Sequence, residues 1–473
     1  MNWSLISVEI LLALLGVGLL IIGMVTPADQ RKGIGPLTGL FLIGLLAATA
    51  VKFNINEMFM GIYYLDPYAS FFKLVFLAAA ILVVLSSNQW IMARGAYQVE
   101  YYSLIIFATL GMFVIASAGD LITAYVGIEL MTISFIILAG FNKGDAKSAE
   151  AGMKYLVLGA LSSAIMLYGL TLIYGGTQSL LIADIAGVVA QGIEPIMMLG
   201  IILLIAGFSF KIAVVPFHMW SPDVYEGAPT AVTAFLSVGS KAAAFALFVR
   251  FFVIGFQGTW GAWAVLLMVL AVLTLVLANL VAIPQTNMKR LLAYSGIGHA
   301  GYMLLGLIAY SELGITAILF YAMIYVFGNL GAFIVAIAFE NATGSSEIKD
   351  YSGLSLRSPM LSAVMMVSLL SLAGLPPLAG FIGKFFLFTA AIEQGFIWLA
   401  IVALAMSLVS VYYYLIVVKV MFLGEPADDK PIVIPGSIKL TLMLAMVVTV
   451  FLGIYPTPVY EWAVVAAKAF MPF

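Results

Sequence analysis

Read for the spacing of apolar and polar residues, the chain is a succession of long apolar runs separated by short polar connections. Crossing roughly 30 Å of hydrocarbon takes about 20 helical residues. About fourteen runs meet that length: 5–25, 37–52, 71–86, 101–118, 120–140, 153–174, 196–219, 230–254, 261–282, 291–310, 314–339, 360–391, 397–423 and 436–455. The pattern predicts an all-α polytopic membrane protein. Two runs carry interior prolines, Pro216 and Pro376-Pro377. A proline removes a helical hydrogen bond and frees a carbonyl, which lipid tolerates only where protein or cavity water satisfies the freed group. Segment 360–391 is also too long for one straight span, so two half-helices are predicted there. An unwound turn is predicted beside Pro216.

Composition agrees. Of 473 residues, 64% are hydrophobic and 9% charged, against about 25% charged in soluble domains. A net charge of −2 gives no reason to expect a nucleic-acid partner. The absence of cysteine excludes thiolate-held iron–sulfur clusters, thiol redox chemistry and disulfides. Two histidines, His218 and His299, argue against a dense metal or haem site. The first residues, Met1-Asn2-Trp3-Ser4, lack a signal peptide's basic region, so 5–25 reads as a retained span.

Basic residues set the expected orientation. Alternate connections carry Arg31 and Lys32; Arg94; Lys143, Lys147 and Lys154; Lys289 and Arg290; Lys349 and Arg357; and Lys419, Lys430 and Lys439. The intervening 175–195 and 310–313 have none. Both termini are therefore expected outside the cytoplasm, in a bacterial inner (plasma) membrane. Connection 219–229 departs from the alternation, having no basic residue.

Candidate chemistry lies in four charges inside the spans: Glu129, Lys211, Lys241 and Lys384. A charge near a bilayer centre costs roughly 2.5–3.5 kcal/mol on insertion scales and usually persists for a function. Buried charge beside broken helices marks an ion path in transporters. Lys211 is the expected partner of Glu129, the pair forming either a static tie or a conformation-sensitive proton switch. Lys241 has no acidic neighbour in sequence and either relays a proton laterally or snorkels to an interface. Lys384 follows Pro376-Pro377 and could hand a proton to one face. His299 suits a relay or serves as a structural hydrogen-bonder. His218, beside Pro216, is a candidate gate for water. Glu9 reads as an interface residue or a contact to another chain.

An internal echo sets Ala124-Tyr125-Val126-Gly127-Ile128-Glu129 against Ala293-Tyr294-Ser295-Gly296-Ile297-Gly298. Each copy is followed by a broken, lysine-bearing segment. An odd number of spans separates them, so the copies would face opposite ways, as inverted repeats do.

The stretches KIAVVPFHMWSPDVYEGAPTAVTAF (211–235), NMKRLLAYSGIGHAGYMLLG (287–306) and LAGLPPLAGFIGKFF (372–386) resemble the antiporter-like proton-translocating subunits of NADH:quinone oxidoreductase, respiratory complex I. Val224 to Thr230 and EAGMKYLVLGALSSAIMLYG (150–169) are most similar to the subunit N (chain 2) branch. The resemblance runs from about 100 to about 425. It implies a fourteen-helix fold with helices 7 and 12 broken, divided into three N-terminal helices (1–100), a first five-helix repeat (101–255), a second, inverted one (256–424) and helix 14 with a tail (425–473). It implies proton translocation driven by quinone reduction in neighbouring subunits, through Glu129, Lys211, Lys241 and Lys384. Other membrane subunits would be partners, and these would include an adjacent antiporter-like chain. Quinone, FMN and iron–sulfur clusters would sit on partner subunits, none on this chain. Ala231 stands where proline is expected, Gly296 and Gly298 replace Ser- and Ala-like residues beside His299, and no long amphipathic C-terminal arm is present. A subunit of a multisubunit Na+/H+ antiporter is the competing reading, and a passive assembly scaffold a third.

Overall fold

The computed structural model describes residues 2–27, 31, 33–93, 97–426, 428 and 430–471. Lys32 and Arg94, two of the orienting basic residues, lie outside them. Helices α1 (Ser7–Val25), α2 (Ile34–Val51) and α3 (Pro67–Met92) come first, with strands β1 (Glu57–Phe59) and β2 (Tyr63–Leu65) between the last two. Then follow α4 (Gln98–Ser117), α5 (Leu121–Ala139), α6 (Ala146–Thr177), α7 (Ile182–Gln191), α8 (Pro195–Ile212) and α9 (Trp220–Gly227). α10 (Thr230–Phe235) passes through a π-helical turn (Leu236–Ser240) into α11 (Lys241–Arg250), which ends in a second such turn (Phe251–Gly255). α12 (Trp260–Ala282), α13 (Met288–Ala309), α14 (Glu312–Thr343), α15 (Leu354–Arg357), α16 (Pro359–Ala373), α17 (Ala379–Glu393), α18 (Ile397–Leu423), α19 (Gly436–Ile454) and α20 (Thr457–Phe470) complete the chain.

Among the described residues, 13 helices are long and apolar enough to span a membrane. The fourteenth expected span, 360–391, is the pair α16 and α17, each too short to cross alone. The core of the bundle is Thr230–Gly255, α13 and α14, whose apolar windows are 94% buried or more, whereas α1 is only 28% buried. Four segments correct the sequence reading. Residues 57–65 form an antiparallel hairpin with Phe59 opposite Tyr63. Connection 175–195 contains α7, the tail after 455 contains α20, and 219–229 is not a loop but the buried half-helix α9.

At the first break, Ala213 turns left-handed (φ 58°). The groups freed there find partners as lipid burial requires. The Phe210 carbonyl accepts from Trp220 Nε1 at 3.0 Å, and the Val215 amide donates to Thr274 Oγ1 at 3.0 Å. At the second break Gly374 has φ 85°. The amide of Gly380 donates to Ser371 Oγ at 3.1 Å, and a Cβ at Gly380 would collide with the Ser371 carbonyl. Only glycine permits that approach.

Two helix starts are built alike. Asp120 caps α5 and bridges to Leu181 beyond α6; Asn287 caps α13 and bridges to Glu347 beyond α14. Both α6 and α14 have 32 residues.

Candidate functional site

Lys211, Lys241, His299 and Lys384 are all buried, 3–4% exposed. Glu129 is only partly buried. The expected direct pair between Glu129 and Lys211 does not form. Lys211 Nζ donates to Thr132 Oγ1 at 2.7 Å, while Ser163 Oγ donates to Glu129 Oε1 at 2.6 Å. Thr132 lies one turn beyond Glu129 on α5, so both groups share a face.

Lys241 occupies the first turn of α11, directly after a π-helical turn, a feature common at functional sites. Its Nζ has no protein hydrogen-bond partner and faces the Tyr225 ring at 5.8 Å. Lys241 and His299 line one narrow cavity with Gly296 and Tyr325; it leaves ≈ 10 Å³ for the centre of a water molecule, about the room one water needs. His299 Nδ1 lies 2.6 Å from Tyr321 Oη, and its Nε2 lies 3.3 Å from Tyr414 Oη. Tyr414 Oη is 2.5 Å from Ser295 Oγ. Gly296 is a space-maker: a Cβ there would sit 2.8 Å from Lys241 Nζ and 3.0 Å from Tyr325 Oη.

Lys384 Nζ donates to the Ala373 carbonyl and to Ser407 Oγ, each at 2.9 Å. It thereby satisfies the end of α16 across the break, a cation at a helix C-terminus. It also lies 4.7 Å from the Tyr302 ring centroid, and Tyr302 packs on His299 at 5.8 Å. Pro216, Pro376 and Pro377 are exposed on the outside of the bundle, and His218 is half-buried in the first break. These residues border the lysine sites, whose ammonium groups bond to other partners.

The end of the bundle carrying the starts of α6 and α13 is strongly charged. Lys147 binds Glu226 (3.0 Å), Lys154 binds Asp223 (2.7 Å), and Arg290 binds both Asp223 (2.9 Å) and Glu226 (3.0 Å). The acids of α9 thus draw basic residues from two neighbouring connections, which accounts for a segment without basic residues of its own on a basic face. A polar vestibule of ≈ 370 Å³ opens here, lined by Asp145, Lys147, Glu226, Lys289, Glu340 and Glu347 among others. From it a seam runs inward between α14 and the α10–α11 segment: Glu340 accepts from Thr230, then Asn329 Nδ2 donates to Ser237 Oγ at 2.7 Å, and Tyr325 lies beside Lys241.

Sequence reasoning passed over these hydroxyl and amide groups. The stripe Tyr321, Tyr325 and Asn329, one every fourth residue of α14, was legible as a single helical face. It also undercounted buried charge. Glu9 is not an interface residue: it pairs with Lys73 at 2.6 Å inside the protein. Arg250 binds Asp66 through two nitrogens, at 2.9 and 3.1 Å.

Comparison with known proteins follows the same lines. Residues 118–410 match the family model described as NADH:quinone oxidoreductase/Mrp antiporter, TM. The NADH-quinone oxidoreductase subunit N of Moorella thermoacetica is 53% identical over 471 residues, covering 99% of both chains. A chain of respiratory complex I from Thermus thermophilus superposes with TM-score 0.82 at 33% identity, covering 96% of this chain and 98% of that one. A chain of the Mrp complex from Dietzia sp. DQ12-45-1b shares the fold, with TM-score 0.89 at 23% identity, covering 100% of this chain and 98% of that one. The chain therefore belongs to the NADH:quinone oxidoreductase/Mrp antiporter membrane family, among its NADH-quinone oxidoreductase subunit N members.

Proposed function

We propose that this chain is a proton-translocating subunit of a complex I-type NADH:quinone oxidoreductase, in a bacterial inner membrane with both termini on the non-cytoplasmic side. The observation that carries this reading is a set of four buried titratable groups, Lys211, Lys241, His299 and Lys384, with the half-buried Glu129 beside them. Glu129, Lys211, Lys241, His299 and Lys384 lie, in chain order, on α5, α8, α11, α13 and α17, with hydroxyl groups and one small cavity among them. Protons would enter by the vestibule and seam, load Lys241, and pass toward Lys384 through the His299–tyrosine cluster. Buried amines suit this because desolvation narrows the gap between their charged and neutral forms. The prolines and His218 would serve as hinges and water gates of the two breaks.

In this reading the chain holds no redox centre, and quinone, FMN and iron–sulfur clusters act on partner subunits. Its neighbours would be another antiporter-like subunit and small membrane subunits. Residues 101–255 and 256–424 would form the two inverted repeats. The matching caps support this: Asn287 lies on the face where Arg290 meets α9, whereas Asp120 lies at the far end of α5 from that face. Counted from these caps, Glu129 corresponds to Gly296 and Thr132 to His299, two residues out of step with the sequence echo. The Mrp-like alternative is the weaker one: the family model is shared by both groups, and the Mrp chain matches in fold at 23% identity, against 53% for a subunit N relative.

The test is to purify the complex from its native membrane and record its redox spectrum, then to reconstitute a Lys211→Met form in vesicles. Iron–sulfur signals, quinone reduction and impaired proton uptake in the variant would support the reading. A particle with no redox centres, or a variant that pumps normally, would sink it.

A further inference from the structure

A second charged cluster lies at the opposite end of the bundle from the vestibule. Glu9, in the first turn of α1, pairs with Lys73 of α3 at 2.6 Å. Tyr63, on β2, donates to Glu9 Oε1 at 2.9 Å and also approaches the Phe113 carbonyl at 3.3 Å. Glu9, Lys73 and Tyr63 are 8%, 4% and 8% exposed. Glu9 Oε2 is buried with no protein partner. The hairpin covers the cluster, its Phe59, Tyr63 and Leu65 packing with Leu5. The amide of Gly119, between α4 and α5, anchors the hairpin turn at the Ile62 carbonyl (2.8 Å).

The neighbouring charges differ in kind. Asp66 and Arg250 saturate each other, Arg250 also donates twice to the Ala116 carbonyl (3.2 and 3.0 Å), and Asp66 caps α3. Asp120 caps α5, and Ser117 stands beside Tyr63. Those groups are clamps. Asp120 also keeps one buried oxygen without a protein partner, but among the described residues of this cluster only the Glu9–Lys73 pair joins such an acid to a base, across a single hydrogen bond.

Resting on the function proposed above, we infer that Glu9 and Lys73 form a proton-release site under the 57–65 hairpin. The Lys73 ammonium gives a proton to Glu9 Oε1; one N–H bond breaks, one O–H bond forms, and a neutral amine faces a neutral acid. The acid then loses the proton to water at the covered face, and the amine takes another from the interior. Burial favours such neutral pairs because both charges are costly there. On the inner side, the Phe113 ring lies 5.7 Å from Lys73 Nζ. Its neighbour Met112 packs against Gly239, two residues before Lys241. This apolar plug separates the two amines and would gate by wetting, as apolar constrictions do.

The test uses the whole complex in sealed vesicles, comparing the Glu9→Gln/Lys73→Met double variant with Lys211→Met. The double variant removes both charges, because a lone buried charge is destabilising whereas a neutral pair is tolerated. Expected are normal assembly and quinone reduction, with fewer protons moved per quinone and loss of part of the transported charge. A wild-type proton-to-quinone ratio in the double variant, beside a lowered one in Lys211→Met, overturns this site and leaves the general function standing. An unchanged ratio in Lys211→Met overturns both. Should the double variant fail to assemble, Glu9→Asp, which keeps the pair, decides. A turnover-induced infrared carboxyl band that moves on this substitution supports proton exchange at Glu9, and identical difference spectra overturn it.

Discussion

Lys241 Nζ faces the bare Cα of Gly296, so close that a methyl group would stand 2.8 Å from the nitrogen. Two residues from different helices, α11 and α13, thereby share the space inside the bundle. Replacing Gly296 with alanine should raise helix propensity by up to about 1 kcal/mol, while pushing the amine or Tyr325 Oη aside. Gly296→Ala is therefore expected to keep or slightly raise thermal stability and to slow proton transfer. A thermal melt paired with a vesicle proton-uptake assay separates these effects. Uptake equal to wild type would show that the Lys241 head does not need that space.

Thr132 gives Lys211 its hydrogen bond (2.7 Å) in place of the carboxylate expected from sequence. A hydrogen bond to a charged group is worth about 1.5–3 kcal/mol, or about ten- to a hundredfold in a rate. Thr132→Val should lower proton translocation on that scale, whereas Thr132→Ser, which keeps the hydroxyl, should not. Equal loss in both variants would point to packing instead.

Asp66 and Arg250 make a fully buried pair that ties α3 to α11. Removing one member leaves an unpaired buried charge, at a cost of about 3–5 kcal/mol. Arg250→Met alone should reduce assembly of the chain into its membrane complex. Adding Asp66→Asn, which retains a helix-capping side chain, should restore most of it. Native gel quantification of assembled complex reads this directly.

Acid should loosen α9 before the rest. Burial pushes the Asp223 and Glu226 carboxyls up, but hydrogen bonds and charge from Lys154 and Arg290, and from Lys147 and Arg290, outweigh it and hold both below their ordinary range. A lowered folded-state value means stability that is complete above the unfolded carboxylate value, near 4, and is lost as pH falls through the folded one. The protection of 213–229 against hydrogen exchange, taken relative to the intrinsic rate at each pH, should therefore fall below about pH 4, and an Asp223→Asn/Glu226→Gln form should lose that dependence. Both groups are partly exposed, so high salt should weaken the effect. Protection that stays constant with pH in wild type would refute it.

Much was legible in the chain itself. Apolar length fixed the spans, since lipid leaves a backbone no choice but internal hydrogen bonding. Proline marked both breaks, and four lysine and glutamate positions stood out against an apolar background. What stayed hidden shares one cause: partners far apart in sequence. Thr132 for Lys211, Ser163 for Glu129, Lys73 for Glu9 and Asp66 for Arg250 are set by which helix faces meet, not by local spacing.

The sequence by itself determined the membrane-spanning helical class and the places where a helix must break. Those follow from hydrophobic length and backbone chemistry, which act within a single segment. Only the tertiary structure decided the charge partners, the shared cavity of Lys241 and His299, the buried course of α9 and the hairpin over Glu9. Each depends on packing between segments, where a hydroxyl, a missing Cβ or a neighbouring carbonyl answers a charge that its own helix cannot satisfy.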